Sequence, residues 1–591
     1  MDAEMLHKEE VVLRGVAAAP GIAIGKAYLY DKQTPKVVER HLSPAEVDSE
    51  IERLKHALQR STKELEKILS FAEQKIGDRK AKIFEAQIMI LHDELLFREI
   101  ERRIRDEAKS ADFIVSDEIG KYQRLMLSAE DEYMRERAFE VEDVKNRIIR
   151  NIHQDRLFSK LEGASVIVSE TLTAADTVLF SRNEVLGYAT DFGGVTSHAA
   201  ILSRSLRIPA VVGLHKASKM VSSGDLVIID GFRGLLIVHP SQERLQEYEE
   251  KLTQYRRFEV ELERLHDLPA ETLDHHRVRM LANLEFADEV NSAKQQGAEG
   301  IGLFRTESLL INRDDFPSED EQALIYDSVA AKAFPDIVVI RTFDIGGDKV
   351  MLDSAAPESN PFLGWRGIRI GLDRTELLLT QLRAILRASG RKNVAIMLPM
   401  VATLKEVRRV KRFLEQAKEE LRSASIPFDD AIPLGVMIEV PSAAVMAEQI
   451  AKEVDFLSIG TNDLIQYTLA VDRGNDNVAK LYSEFDPSIL WTLKHIIDSA
   501  HRAGRKVSIC GEMAGNPVAT ILLLGFGLDE FSMVPSLIPG VKKVIRSVTL
   551  KEAQRIAKAA LEFTTVEEVE EFLREGVKTY VSPLLLLDRE E

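Results

Sequence analysis

The chain has 591 residues, enough for several domains that each bury a core. Its 78 Lys and Arg against 96 Asp and Glu give a formal net charge of −18, which argues against bulk nucleic-acid binding and against an anionic membrane surface. The single cysteine, Cys510, excludes intrachain disulfides. No apolar run reaches membrane-spanning length, and the charged start MDAEMLHKEEVV lacks a signal-peptide core, so a cytoplasmic protein is expected.

Residues 11–30 (VVLRGVAAAPGIAIGKAYLY) mix small, β-branched and glycine residues and predict short strands and turns. The texture changes at Ser43-Pro44-Ala45-Glu46, which combines an N-cap, a proline at the first helical position and a glutamate at the third. Charged, apolar-periodic helical sequence then runs to about Ile152, with breaks predicted near Gly77, at Ser110–Asp112 and near Ala129-Glu130. No proline occurs between Pro44 and Pro209, so this block predicts a helical bundle.

Short strand patterns return from about Ala164: SVIVSE, EVLGYAT, AVVGL, LVIIDG and LLIVHP. Two β-containing pieces bracket the helical block, which predicts one α/β domain carrying a helical insertion. Between the second and third of these strands lies GGVTSHAAILSRSLRIPAVVG (193–213). Here His198 follows Gly193-Gly194, Thr196 and Ser197 at a strand-to-helix turn, where unpaired N–H groups favour a phosphate and an imidazole can carry a phosphoryl group. Taken alone, a histidine in such a turn is an ordinary helix-start residue. Residues 241–266 contain no glycine or proline, are highly charged, and predict a long exposed helix linking the two halves.

The second half alternates short apolar runs with helical stretches. The predicted strands are 278–284, 300–305, 337–344, 394–400, 434–439, 455–460, 507–512 and 529–533. Eight βα units predict a (β/α)₈ barrel; an open doubly wound sheet would show a glycine-rich loop after its first strand, and none is present. Active sites of such barrels lie at the C-terminal strand ends. There the sequence places Arg305, Arg341, Glu439, Asn462, Asp463, Cys510 and, further along, Arg473, with Trp365-Arg366 in the long loop after the third strand. Guanidinium forks match phosphate and carboxylate, Glu439 and Asp463 suit Mg²⁺, and Cys510 is placed to exchange a proton with carbon. The implied substrate is small, phosphorylated and carboxylated. Singly, these residues are surface ion pairs, helix caps or a small buried hydrophobe. Seven of them at the same end of five strands point to a site.

The chain resembles enzyme I of the phosphoenolpyruvate-dependent sugar phosphotransferase system. The resemblance rests on GGVTSHAAILSRSLRIPAVVG, GLFRTE, RTFDIGGDK, NPFLGWRGIRI, DFLSIGTNDLIQYTLAVDRGN and ICGEMAG, and on FEAQIMILHDE (84–94), DEYMRERAFEVEDVKNRIIRNI (131–152) and PGIAIGKA (20–27). It runs from about Leu13 to the C-terminal region. It implies an α/β multidomain protein: a swivelling phosphohistidine α/β domain with an inserted helical bundle, followed by a (β/α)₈ TIM barrel. The implied bounds are 1–40 and 155–240 for the phosphohistidine domain, 41–154 for the insert that binds the carrier protein HPr, 241–270 for the linker, and 271–591 for the substrate-binding and dimerising barrel. By resemblance His198 takes the phosphoryl group of phosphoenolpyruvate on Nε2 and passes it to a histidine of HPr. Arg305, Arg341 and Arg473 contact the substrate with Asn462 beside its phosphate. Glu439 and Asp463 hold Mg²⁺, Cys510 protonates the enolate to give pyruvate, and Lys349 and Arg366 lie nearby.

Two related readings compete. A dikinase shares the phosphohistidine domain and the barrel but needs an ATP-binding domain, and the residues ahead of the phosphohistidine core read as helices without a nucleotide loop. A phosphoenolpyruvate sensor without turnover would show degraded catalytic positions, and none is degraded. The pathway served, sugar uptake or regulation, stays open at this point.

Overall fold

The computed structural model describes residues 9–30, 37–76, 78–128, 132–153, 163–181, 184–195, 197–310, 313, 315–346, 358, 360–475, 477–580 and 585. The chain forms two compact units that divide between Arg256 and Arg257.

The first unit contains strands β1 (Val11–Arg14), β2 (Val16–Ala19), β3 (Ile22–Tyr30), β4 (Ser165–Ser169), β5 (Val185–Thr190), β6 (Ala210–Val212), β7 (Leu226–Asp230) and β8 (Leu235–Val238). They form one sheet in the order β1-β8-β7-β3-β4-β5-β6-β2, parallel from β3 to β6 and antiparallel elsewhere. β1 and β2 are consecutive yet occupy opposite edges, and a single residue, Gly15, connects them. Its N–H donates to the Gly234 carbonyl at 2.8 Å, and a Cβ would stand 2.3 Å from the Val212 carbonyl oxygen. Only glycine fits between the two edges.

Between β3 and β4 run helices Val47–Ile76, Asp78–Leu91, Glu94–Glu107, Ala111–Leu127 and Glu132–His153. Their apolar stripes meet in one core that includes Leu54, Leu65, Ile100, Ile114, Val144 and Ile148, and Leu202 of the helix that starts at His198 joins it. The helical period therefore locates the bundle, but it does not locate every break. Asp93 ends one helix and starts the next: its carboxylate accepts the N–H groups of Leu95 and Leu96 at 3.0 Å. An aspartate inside a charged amphipathic run carries no distinguishing signal until its backbone leaves the helix.

The expected linker segment forms helix Gln242–Glu263. Glu10 caps it, accepting the Ser241 N–H at 2.8 Å and facing Arg244 at 3.5 Å. That contact depresses the Glu10 carboxyl below its ordinary range, chiefly through the Ser241 backbone N–H.

The second unit is a closed, all-parallel eight-stranded barrel of β9 (Arg279–Leu284), β10 (Ile301–Phe304), β11 (Val338–Arg341), β12 (Val394–Leu398), β13 (Leu434–Ile438), β14 (Phe456–Ile459), β15 (Lys506–Ile509) and β16 (Glu530–Met533). Every predicted barrel strand is present. Each is a run of four to six residues, mostly buried, because strands of a barrel wrapped by helices are covered on both faces. A large core between strands and helices surrounds a small inner one made of Leu303, Val339, Ala395, Met397, Met437 and Cys510. Among the described residues no helix is long and apolar enough to cross a membrane.

Candidate active site

In the first unit, His198 is the first residue of helix His198–Leu206, and the Ser197 hydroxyl caps it by accepting the Ala200 N–H at 3.3 Å. Gly193 opens the preceding turn at φ 124°, a conformation that favours glycine. Arg204, in the last turn of the helix, donates to the Val195 carbonyl at 2.6 Å and to the Ala18 carbonyl of β2 at 2.7 Å. One guanidinium thus ties the turn before His198 to the sheet. The N-terminus of this helix provides an anion-favouring environment at the position of the histidine. Thr196 lies outside the described residues.

In the second unit, the predicted residues collect at the C-terminal mouth of the barrel. Arg341 ends β11 and is buried. Its Nη2 donates to Glu307 at 3.0 Å, its Nη1 lies 3.2 Å from Asp344, and Met437 Sδ is 3.9 Å away. Arg366 is 1% exposed and holds two carboxylates at once, Asp344 at 3.1 Å and Asp463 at 2.8 Å, with the Tyr467 hydroxyl at 3.2 Å. This guanidinium therefore sits behind the carboxylates, as a support for Asp463. Arg305 is less buried and pairs with Glu285 at 3.1 Å. Asn462 exchanges two 2.9 Å hydrogen bonds with Glu512, one to its side chain and one from its backbone N–H. Arg473 is exposed on the turn after helix Thr461–Leu469, with its backbone N–H on the Gln466 side chain at 3.2 Å. Lys349 lies outside the described residues.

Glu439, just beyond β13, is 1% exposed and accepts the Met400 backbone N–H at 2.6 Å. Met400 stands in the left-handed region at φ 55°, a conformation that non-glycine residues adopt at a cost. Burial, then the charges of Asp463 and Asp344, push the Glu439 carboxyl up to about 8. Burial opposes the charge on Arg341 and Arg366, but their carboxylate neighbours outweigh it and raise both guanidinium pKa values. Glu307, Asp344 and Asp463 pair with the buried guanidiniums of Arg341 and Arg366, and Glu439 beside them is pushed up by burial and by its neighbours' charges. A divalent cation would offset those charges. Among the described residues no group of three or more His, Cys, Asp or Glu is arranged to hold a metal. A cation here would rest on one or two carboxylates and complete its shell with substrate oxygens and water, the habit of Mg²⁺.

Cys510 follows β15 and is 4% exposed, with Sγ 3.6 Å from the Ile459 carbonyl. Burial pushes its thiol up to about 11, so it keeps its proton at neutral pH. Gly511 allows the close approach of β14 and β15 here: a Cβ would stand 1.9 Å from Thr461 Oγ1.

The barrel mouth also contains residues that motif reading passed over. Glu307 orients Arg341 and accepts the Asp344 N–H at 2.7 Å. Gln381, on helix Thr375–Ala388, accepts the Phe343 N–H at 2.9 Å. Asn283 of β9 donates to the Cys510 carbonyl at 2.9 Å and accepts from Ser532 at 2.6 Å. Glu307 lies within the GLFRTE motif, which was its available signal; nothing local marks Gln381 or Asn283.

Comparison with known proteins gives a consistent result. Three family models match: "PEP-utilising enzyme, N-terminal" over residues 14–137, "PEP-utilising enzyme, mobile domain" over 161–234, and "PEP-utilising enzyme, PEP-binding domain" over 259–550. The phosphoenolpyruvate-protein phosphotransferase of Geobacillus stearothermophilus is 43% identical over 568 residues, covering 96% of this chain and 98% of its own. That of Haemophilus influenzae is 41% identical, covering 95% and 99%. An NMR solution structure of Enzyme I is 42% identical, covering 41% of this chain and 99% of its own, with a TM-score of 0.38. With identity of this order sustained over nearly the whole length of both chains, the protein belongs to the phosphoenolpyruvate-protein phosphotransferase family.

Proposed function

We propose that this chain transfers the phosphoryl group of phosphoenolpyruvate to its own His198, releases pyruvate, and passes the group to a histidine of an HPr-like carrier. The observation that carries this reading is the barrel mouth, where buried guanidiniums, a carboxylate excess and a protonated thiol lie together in a segment matching a PEP-binding domain.

Phosphoenolpyruvate is a strong donor because its enol product collapses to a ketone, so the protein has to position groups and balance charge. Arg305, Arg341 and Arg473 bind the phosphate and carboxylate through paired N–H donors, with Asn462 beside the phosphate. Lys349 matches a family position near this site and lies outside the described residues. Glu439 and Asp463 would hold Mg²⁺, which when bound supplies charge neutralisation at the departing phosphoryl group. Arg366 and Glu307 keep Asp463 and Arg341 in place. The His198 imidazole attacks phosphorus: the enol C–O–P bridge breaks at the O–P bond, an N–P bond forms, and the enolate keeps the electron pair. Cys510 then gives its proton to the methylene carbon, yielding pyruvate. His198 and the substrate-binding residues belong to different units, so turnover requires the first unit to swivel on the helical linker.

The helical block 41–154 serves as the carrier-docking region in this reading, and the acidic balance of the chain suits a basic partner. The barrel unit mediates a homodimer; helix Pro441–Val445 packs on helix Pro487–Arg502, and Val445 and Trp491 on them are 71% and 59% exposed. The protein acts in the cytoplasm.

Incubation with radiolabelled phosphoenolpyruvate and Mg²⁺ tests the central step. An acid-labile, alkali-stable protein adduct is expected on the parent and not on His198→Ala, and HPr addition then discharges it. A folded, Mg²⁺-loaded parent that takes no label would overturn the transferase reading.

A further inference from the structure

The ends of β10 and β11 carry two of the guanidiniums proposed to bind the substrate. Phe304 and Ile340 are in register, so Arg305 and Arg341 are the next residues on neighbouring strands. Each arginine is tied to its outer neighbour: the Arg305 N–H donates to the Leu284 carbonyl at 2.8 Å, and Arg341 lies in register with Met397 of β12. Between the two, the pairing is irregular from Ile301 to Phe304, and β10 stops before Arg305. Backbone register alone therefore does not set their spacing. A side chain takes over where the ladder ends. Thr306 Oγ1 donates to the Arg341 carbonyl at 2.9 Å, so the residue after one arginine holds the backbone of the other.

Behind Thr306 lies a row of buried polar side chains. Thr306, Gln322, Tyr326 and Gln381 are each at most 1% exposed. Gln322 and Tyr326 stand one turn apart on helix Glu319–Ala333, and Gln381 is on helix Thr375–Ala388. Backbone groups at the ends of the row fix the direction of every hydrogen bond in it. The Phe343 N–H can only donate, so the oxygen of the Gln381 amide faces it at 2.9 Å. The Gln381 NH₂ group then gives its two protons to the Thr306 hydroxyl at 3.3 Å and the Tyr326 hydroxyl at 3.1 Å. The Arg341 carbonyl can only accept, and it takes the Thr306 proton. The Pro317 carbonyl likewise takes the Gln322 NH₂ group at 2.8 Å, which leaves the Gln322 oxygen for the Tyr326 proton at 3.1 Å. Reversing any member would set two donors or two acceptors face to face in a buried site. Gln381 thus holds the chain on both sides of Thr342: the Phe343 N–H directly, and the Arg341 carbonyl through Thr306.

We propose that Gln381 is a positioning residue that, through Thr306, sets the spacing between the guanidiniums of Arg305 and Arg341 and so the fit of phosphoenolpyruvate between them. The inference rests on the reading of these arginines as substrate-binding. An anion gripped by two forks needs both at once, and the placement of two neighbouring strand ends decides whether one ligand reaches both.

The experiment measures the dissociation constant of phosphoenolpyruvate by calorimetry, with Mg²⁺, in full-length His198→Ala, which binds the substrate without consuming it. On that background Gln381→Met, similar in length and without a hydrogen-bonding amide, weakens binding about tenfold, and Thr306→Val, of nearly the same shape, does so by a similar factor. Thr306→Ser keeps the hydroxyl and stays within about twofold of the parent. A double-mutant cycle with Arg305→Ala separates spacing from general support. With one guanidinium gone there is no spacing to set, so Gln381→Met adds less than about twofold to the loss caused by Arg305→Ala. A further loss of about tenfold on that background overturns the inference, because Gln381 then supports the barrel mouth at large. Unchanged affinity in both Gln381→Met and Thr306→Val also overturns it and leaves the substrate-binding reading standing. Should Gln381→Met fail to fold, Thr306→Val in the same cycle carries the test. An Arg305→Ala chain that binds phosphoenolpyruvate as tightly as the parent overturns the substrate-binding reading itself, and the inference with it.

Discussion

At the scale of single residues, the site works by making buried charges depend on one another. Glu307 illustrates this. One of its oxygens accepts both the Arg341 guanidinium and the Asp344 N–H, so it fixes a buried cation and the start of the loop that carries Arg366. Removing one partner of a buried pair leaves a charge that water cannot reach, which costs about 3 kcal/mol. Glu307→Ala is therefore expected to destabilise the barrel unit by about that amount in urea and to weaken phosphoenolpyruvate binding by at least tenfold. Glu307→Gln retains an acceptor and is expected to recover most of the stability. Equal stability of Glu307→Ala and parent would show that Asp344 alone suffices to hold Arg341. The sequence made Arg341, Glu439, Asp463 and Cys510 legible because each stands at or shortly after the C-terminal end of an apolar strand and has a side chain with few other uses there. Asn283 and Gln381 were not legible. Their hydrogen bonds arise only when the closed barrel sets β9 beside β16 and a helix residue beneath the β11 loop.

At the scale of elements, periodicity did most of the work. The eight barrel strands stood out because each is a short apolar run ending in polar residues or glycine, and burial on both faces removes the alternation that would make a strand ambiguous with a surface one. The helical block was legible as a block. Its helices end at Ile76, Glu107 and Leu127, beside the expected breaks, but the break at Asp93 was not legible, since Asp93 differs from the many other acidic residues only by where the chain turns. Its carboxylate satisfies two N–H groups that the helix end otherwise leaves unpaired. Asp93→Ala is expected to cost about 1 kcal/mol of first-unit stability, and Asp93→Asn only a few tenths. Denaturant titration followed by a probe in the helical block checks this. An unchanged midpoint for Asp93→Ala would mean that packing of Phe97, Ile100 and Ile104 alone sets the helix start.

At the scale of the whole molecule, chemistry and stability are divided in the same way. The apolar clusters of the first unit, built from residues 18–248, share no member with those of the barrel unit, built from residues 270–577. His198, the proposed phosphoryl acceptor, belongs to the first, and the proposed substrate-binding residues belong to the second. Two separate cores predict two calorimetric transitions, and a ligand that binds one unit moves only that unit's transition. His198→Ala allows the test without turnover, because the substrate then binds and is not consumed. Phosphoenolpyruvate with Mg²⁺ at about a hundred times its dissociation constant contributes about 2.7 kcal/mol, a rise of several degrees for a unit of this size. That rise is expected in the barrel transition alone. Glu439→Gln is expected to remove the part that depends on Mg²⁺ while leaving the other transition where it was. A shift of both transitions together would mean that substrate binding is already felt by the unit that carries His198, so that phosphoryl transfer begins from a coupled state and not from two independent bodies.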